Sequence, residues 1–334
     1  MIQKLLRSLI HSFKKALEST EFGQRILYDI RNRGLFGNLY FHEMMIADAV
    51  RVDFYHKGIR RHIKPGDIVV DLGTGTGILS FMAAQQNPKK IYAIDHSDLI
   101  DVAKKIAEHN NINNVTFMKI NSRDFSPDEK LDVILHEQIG HALFEENMVS
   151  NLLDLKKRVL KETGKILPGK FELFLEPVCL KREYRVPYIW ENEIHGIDFK
   201  VLEDLKDIDK YKSVEYPSPL IEHAAVDHFL CKPEPCLSFD LNEMDDEDEI
   251  PKLIDGSKKV VNPGHMDGIC LYFRAIFDEE VILDTSPLQT RTCWKNPLFR
   301  TESRYYDAGE SISFRLNMEV LFKKETWSLE LGPD

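Results

Sequence analysis

The chain has 334 residues, enough for two domains, and its 43% hydrophobic and 30% charged content is ordinary for a soluble protein and excludes a membrane one. A formal charge of -11 argues against a general nucleic-acid binder, which would carry a basic surface, and favours a cationic partner. Five cysteines without a signal peptide point to a reducing compartment, the cytoplasm, with the nucleus or an organelle left open. Cys231 and Cys236 lack a second ligand pair at zinc spacing, so no metal site is expected.

Residues 1–20 place Ile2, Leu5, Leu6, Leu9, Phe13, Ala16 and Leu17 on one helical face, with Lys4, Arg7, Lys14 and Lys15 mostly elsewhere. The segment reads as an amphipathic helix packed on the domain, with a transit peptide as the alternative. Residues 22–62 read as helical segments broken around Gly34 and Gly37. From His42 onward Met45, Ala49 and Phe54 are expected to face inward, which leaves His42, Asp48 and Arg51 to explain. Taken singly, each would be a solvated charge.

From 63 to 167 strand and helix alternate. Strands are expected at 68–72, 91–95, 115–120 and 131–135, and helices at 79–85, 99–110 and 148–160, which describes a doubly wound parallel sheet. The central stretch is DIVVDLGTGTGILSFMAA: a β-branched run suited to a strand buried on both faces, three glycines, then an apolar segment of helical length. Gly73, Gly75 and Gly77 let the chain reverse and let a ligand approach bare backbone, with unpaired N–H groups of a helix start behind them.

Two details narrow that ligand. A dinucleotide fingerprint wants its third glycine at position 78, which is Ile78, so the NAD pattern fails. Asp71 stands just before the turn, where a carboxylate repels a pyrophosphate but suits a cationic amino group. The second strand ends in Asp95, and an acid there can accept hydrogen bonds from both ribose hydroxyls. These features together suit S-adenosylmethionine, whereas a glycine turn in an unrelated α/β protein has no need of all three.

The fourth strand runs into HEQIGHALFEENM, which sets Glu137 just past its carboxyl end and Glu146 nine residues on. Ligands bind at the carboxyl ends of strands in this architecture, although a solvated acidic loop would have the same composition. Pro168 and Gly169 close the sheet domain, and the period then changes. Ile312, Phe314, Leu316, Met318 and Val320 alternate with polar residues as a half-buried antiparallel strand should, and similar runs occur at 171–180, 269–277 and 327–331. The expected organisation is N-terminal helices over 1–62, a Rossmann-like domain over 63–169 and an all-β barrel over 170–334. An insertion with helical periodicity, about 190–228, interrupts the barrel as an arm. The acidic run 243–249 reads as a solvated loop.

From about residue 39 onward the chain resembles the protein arginine methyltransferases. The resemblance rests on VVDLGTGTGILS, IYAIDHS, HEQIGHALFEENM, LKETGKILPG, WENEIHGIDF and LDTSP with TRTCWKNPLF. It implies a Rossmann-like domain joined to a β-barrel, and a head-to-tail homodimer made by the arm. HEMMIADAVR matches the family's N-terminal helix, which makes Arg51 a partner for the methionine carboxylate of S-adenosylmethionine and sets His42 beside it. Gly73 and Gly75 then hold the methionyl part with Asp71 behind them, Asp95 with His96 takes the ribose, and Asp124 stands in for the family's adenine-binding glutamate, whose position falls on Arg123. Met45, Met148 and Trp294 would line the substrate pocket, and Glu137 and Glu146 would hold the arginine of a protein or peptide substrate.

The chemistry asks for such a pair. A guanidinium is protonated at all ordinary pH and spreads its nitrogen lone pairs, so it is a poor nucleophile. Two carboxylates gripping its planar N–H fork localise charge on the gripped nitrogens and leave the third richer in electrons. The chain also departs from the family. The barrel's Thr-His-Trp is Thr292-Cys293-Trp294, which removes the partner of Asp48 and puts the Asp48–Cys293 proton route in doubt. Gln138 and His141 stand where tryptophan and tyrosine are usual, and Asn32 and Phe36 replace a tyrosine pair. Two alternatives therefore stay open: a methyltransferase of the same fold acting on a small guanidino or amino metabolite, and a cofactor-binding regulatory protein without turnover. Met45 and Met148 match asymmetric-dimethylating members, and Cys293 would favour stopping at monomethylarginine.

Overall fold

The computed structural model describes Gly23, residues 37–205 and residues 219–332, and in it the β-branched run Ile68–Leu72 forms strand β1 with all five residues buried. A five-stranded parallel sheet surrounds it in the order β3-β2-β1-β4-β5, with β2 at Lys90–Asp95, β3 at Val115–Lys119, β4 at Leu131–His136 and β5 at Leu160–Leu167. β1 pairs with β2 on one side and β4 on the other, so the strand order reverses there. That reversal opens the crevice in which such sheets bind ligands. The helices are α1 at Leu39–Ala47, α2 at Ala49–His62, α3 at Ile78–Ala84, α4 at Leu99–His109 and α5 at Met148–Val159. The amphipathic segment 1–20, the break at Gly34, and Asn32 with Phe36 lie outside the described residues.

The barrel begins with β6, Lys170–Leu180, which pairs antiparallel with the long strand Gly264–Asp278. The alternating segment forms the strand Ser311–Met318, with Ile312, Phe314, Leu316 and Met318 buried; Val320 lies past its end. The two domains share one apolar core, and α2 is the wedge between them. Phe54 and Tyr55 meet the barrel's Phe277 at ring distances of 4.9 and 5.9 Å. Gly58 permits that approach, because a Cβ there would stand 2.4 Å from the Phe277 ring. Each aromatic ring so buried contributes roughly 1.5–3 kcal/mol, so α2 is pinned where it faces the crevice.

The arm differs from its expected form. Its described part holds short 3-10 turns at Ile189–Glu191 and Lys200–Leu205 and a two-stranded hairpin, Glu193–Ile194 with Ile197–Asp198, rather than an α-helix. Residues 206–218 lie outside the described residues. The return is barrel, not arm: Leu220–Ile221 pairs with Asn296 and Pro297, and Val226–Phe229 pairs with β6. Val226 and Phe229 are buried apolar residues at a spacing that reads equally as helix or bulged strand, which is why periodicity overextended the arm to 228.

Candidate active site

The glycine turn after β1 is held from beneath. Asp71 is fully buried, and its Oδ2 accepts from the hydroxyls of Thr74 and Ser80 and from the Ser80 N–H. Burial pushes the Asp71 carboxyl up to about 6 against those bonds. This corrects the expectation that Asp71 meets a ligand: it braces the turn and does not line the crevice, because β1 carries it between packed layers. Gly73 and Gly75 have φ of +74° and +53°, the left-handed region that favours glycine. Among the described residues, its chain neighbours aside, no atom lies within 4 Å of where a Gly73 Cβ would stand, so bare backbone faces open space. At Gly75 a Cβ would lie 2.4 Å from the His42 ring, which therefore packs flush on the turn.

The crevice is lined by His42, Met45, Arg51, Gly73, Gly75, Asp95, His96, Glu137 and Glu146, all expected from the sequence. Asp95, at the end of β2, accepts from the Gly75 N–H at 2.9 Å and the Ser97 N–H at 2.7 Å. His42 and Arg51 are buried rather than solvated, while Ala49, expected to face inward, is exposed. α1 and α2 turn polar side chains to the crevice, and a search for apolar spacing assigns that face to solvent. Asp48 sits between them: Oδ1 caps α2 by accepting the Arg51 N–H at 3.0 Å, and Oδ2 accepts the Cys293 N–H at 2.6 Å.

Other expected residues stand behind the lining. Asp124 is exposed and outside the crevice, because Asn121 caps the 3-10 turn Ser122–Asp124 by accepting the Arg123 N–H and directs 121–123 inward instead. Met148 is fully buried in the core at the start of α5. Trp294 is buried beneath Arg51, whose guanidinium carbon lies 5.9 Å from its ring centre, and its Nε1–H donates to Ile139 O at 2.7 Å. The Cys293 thiol is pushed well up by burial, so it stays protonated. Thr74, Thr76, Ser97, Asn121, Ser122 and Asn151 line the crevice unforeseen. Only the turn position of the first two carried a signal in the sequence.

The loop bearing the two glutamates is braced on three sides. Tyr55 donates its hydroxyl to His136 O at 3.0 Å, Trp294 holds Ile139, and the Lys295 N–H donates to His141 Nδ1 at 3.0 Å. Burial lowers His136 to about 4, so it is neutral; its Nε2 bonds Pro168 O at 2.9 Å. Leu143 and Asn147 adopt φ of +70° and +52°, which turns the loop back so that Glu146 enters the crevice just before α5.

The electrostatics centre on Arg51. Its guanidinium lies 2.6 Å from Glu137 Oε2, with side-chain exposures of 7% and 15%. Burial, the largest influence, lowers the Arg51 pKa, but Glu137 together with Cys293 and Tyr55 turns the net shift upward. Burial raises Glu137, with Arg51 opposing. Glu146 rises well above the usual carboxylate range through burial, then through Glu137 and Glu145. The crevice therefore holds a guanidinium against one glutamate, with a second glutamate of raised proton affinity beside it.

A parallel α/β sheet with this glycine turn and acid-ended second strand, closed by a β-barrel, defines a methyltransferase. Residues 63–213 match the family described as "Methyltransferase domain", and residues 170–327 match the "Arginine methyltransferase oligomerization subdomain". The chain is 30% identical over 271 residues to protein arginine N-methyltransferase 6 of Danio rerio, a match covering 78% of this chain and 76% of that protein. It is also 30% identical over 226 residues to the probable protein arginine N-methyltransferase 6 of Arabidopsis thaliana, covering 65% and 51% respectively. Among solved structures, the Trypanosoma brucei PRMT1 enzyme-prozyme complex with AdoHcy superposes with a TM-score of 0.71 at 24% identity, covering 84% of this chain and 88% of that one. Arabidopsis thaliana protein arginine methyltransferase 10 does so with 0.69 at 23%, over the same shares. The chain belongs to the protein arginine N-methyltransferase family.

Proposed function

We propose that the chain transfers a methyl group from S-adenosylmethionine to a guanidino nitrogen of arginine in proteins, with Glu137 and Glu146 gripping the acceptor. The observation that carries this is the Arg51–Glu137 pair: the crevice already seats a guanidinium on one of its glutamates at 2.6 Å. The residues fit the methyl donor. Gly73 offers open backbone, and the buried Arg51 Nε and His96 Nε2 have no hydrogen-bond partner among the described residues. Arg51 would hold the donor's carboxylate, Asp95 its ribose, and His42 would close over the turn. When bound, the donor supplies a sulfonium methyl open to in-line displacement.

The chain's own residues then do two things. They aim the acceptor, since the attacking nitrogen must lie roughly 3–3.5 Å from the methyl carbon, in line with the departing sulfur, and the braced glutamate loop sets that aim. They also manage charge. Glu137 must exchange Arg51 for the substrate guanidinium, whose positive charge drives any proton on Glu146 out to solvent as it docks; the Glu146 carboxylate, of raised proton affinity, then takes the proton that the methylated nitrogen sheds. Cys293 is not on this route, because a thiol held protonated cannot accept.

The arm supports homodimerisation: Ile194, Ile197 and Val201 are 50%, 62% and 74% exposed. Five free thiols support a reducing compartment, the cytoplasm. No described helix is long and apolar enough to cross a membrane. The test is Glu146→Gln and Glu137→Gln, measured by calorimetric binding of S-adenosylhomocysteine and by turnover on an arginine peptide. Binding should persist while turnover falls by at least about a hundredfold, as when a group used in the transition state is removed. Turnover near wild type in either variant overturns the clamp.

A further inference from the structure

Away from the crevice, Cys179, Asp227 and His228 bring one sulfur, one carboxylate oxygen and one imidazole nitrogen within 4.8 Å of one another. The sheet assembles them. Cys179 and His228 are direct partners in the antiparallel pairing of β6 with Val226–Phe229, so their side chains share a face. The register shifts between Val226 and His228, a bulge that turns Asp227 toward its neighbour, and His228 Nδ1 lies 2.7 Å from Asp227 Oδ2. Cys179 and His228 are half-buried and Asp227 is exposed, so an ion can reach all three. Asp227 pairs with no lysine or arginine among the described residues, and the two charges acting on Cys179, Asp267 and Asp227, are both negative. Among the described residues the Cys179 thiol has only a 3.8 Å contact with Leu180 O.

We propose that Cys179, Asp227 and His228 ligate one divalent metal ion of the zinc class, with water as the fourth ligand. A thiolate, an imidazole and a carboxylate are the donor set such an ion selects. Around a tetrahedral centre with bonds of about 2.0–2.3 Å, ligand atoms stand roughly 3–4 Å apart, which small side-chain rotations reach from here. On binding, the Sγ–H bond gives way to an Sγ–metal bond and the proton leaves to solvent. The ion would fasten the strand returning from the arm to β6. Residues 179 and 228 are far apart in the chain, which is why spacing gave no sign of them.

The test uses the full chain with Co2+ as a spectroscopic probe and Zn2+ as competitor. Wild type should take up one Co2+ per chain with thiolate-to-cobalt charge-transfer absorption and tetrahedral visible bands, both lost on adding Zn2+, and Zn2+ should raise the melting temperature. Cys179→Ser should lose the charge-transfer absorption, and Cys179→Ser and His228→Ala should each weaken Zn2+ binding by on the order of tenfold or more. Both sites are half-exposed, and circular dichroism checks that the variants fold. Absent charge-transfer absorption, its persistence in Cys179→Ser, or Zn2+ affinity unchanged in either variant overturns the proposal.

Discussion

Arg51→Met probes the charge balance of the crevice. The Arg51–Glu137 pair is 2.6 Å long and nearly dry, at 7% and 15% side-chain exposure. Removing one partner of a buried pair leaves an uncompensated charge and costs about 3–5 kcal/mol. Glu137 has an escape, since its carboxyl is already raised by burial and rises further once Arg51 is gone. An acid whose folded pKa exceeds its unfolded value stabilises the fold fully below the unfolded value. That stability is lost as pH climbs through the folded value. Glu146 is shifted in the same direction and reinforces the trend. The deficit of Arg51→Met should therefore be slight near pH 5 and reach its full size near pH 8. Denaturant unfolding of wild type and variant at both pH values measures it. The double variant Arg51→Met with Glu137→Gln removes both charges and should recover most of the loss. A deficit equal at the two pH values, or additive costs in the double variant, would show that Arg51 matters through packing and refute the charge argument.

Three further outcomes follow from particular contacts. Gly75→Ala places a Cβ 2.4 Å from the His42 ring on a backbone at φ +53°, a strain of about 1–2 kcal/mol that should weaken S-adenosylhomocysteine binding in calorimetry by roughly tenfold. Trp294→Phe deletes the 2.7 Å bond to Ile139 O, worth about 1 kcal/mol, and should lower kcat while the KM for S-adenosylmethionine holds. Asp48→Ala should slow turnover more than Cys293→Ser does, because Asp48 accepts the backbone N–H at 293, which serine also supplies; steady-state kinetics on both variants decides it.

Much of this was legible in the chain. Ile68–Leu72 reads as a strand because it is buried on both faces, and the turn reads as a turn because only glycine adopts its dihedrals cheaply. Glu137 and Glu146 were found because the carboxyl ends of strands are functional in any doubly wound sheet. What stayed hidden was direction. Asp71 and Asp95 both end strands, yet only Asp95 lines the crevice, a difference set by how helices pack over β1. His42 and Arg51 lie on a buried polar face, which defeats a search for apolar periodicity. Asp124 and Arg123 exchanged places through one cap at Asn121. The Cys179–His228 pairing depends on sheet register, which no local window carries.

Methylation of protein arginine through Glu137 and Glu146, as proposed, is tested most directly by following the methyl group. Isotope-labelled methyl should be followed from S-adenosylmethionine onto arginine-rich peptides, an unfractionated lysate and a small-molecule pool, with wild type and Glu137→Gln in parallel, and the products identified after acid hydrolysis by mass spectrometry. Label in peptidyl methylarginine that disappears in the variant is the predicted result. Label confined to small molecules, or peptidyl label undiminished in Glu137→Gln, would contradict it.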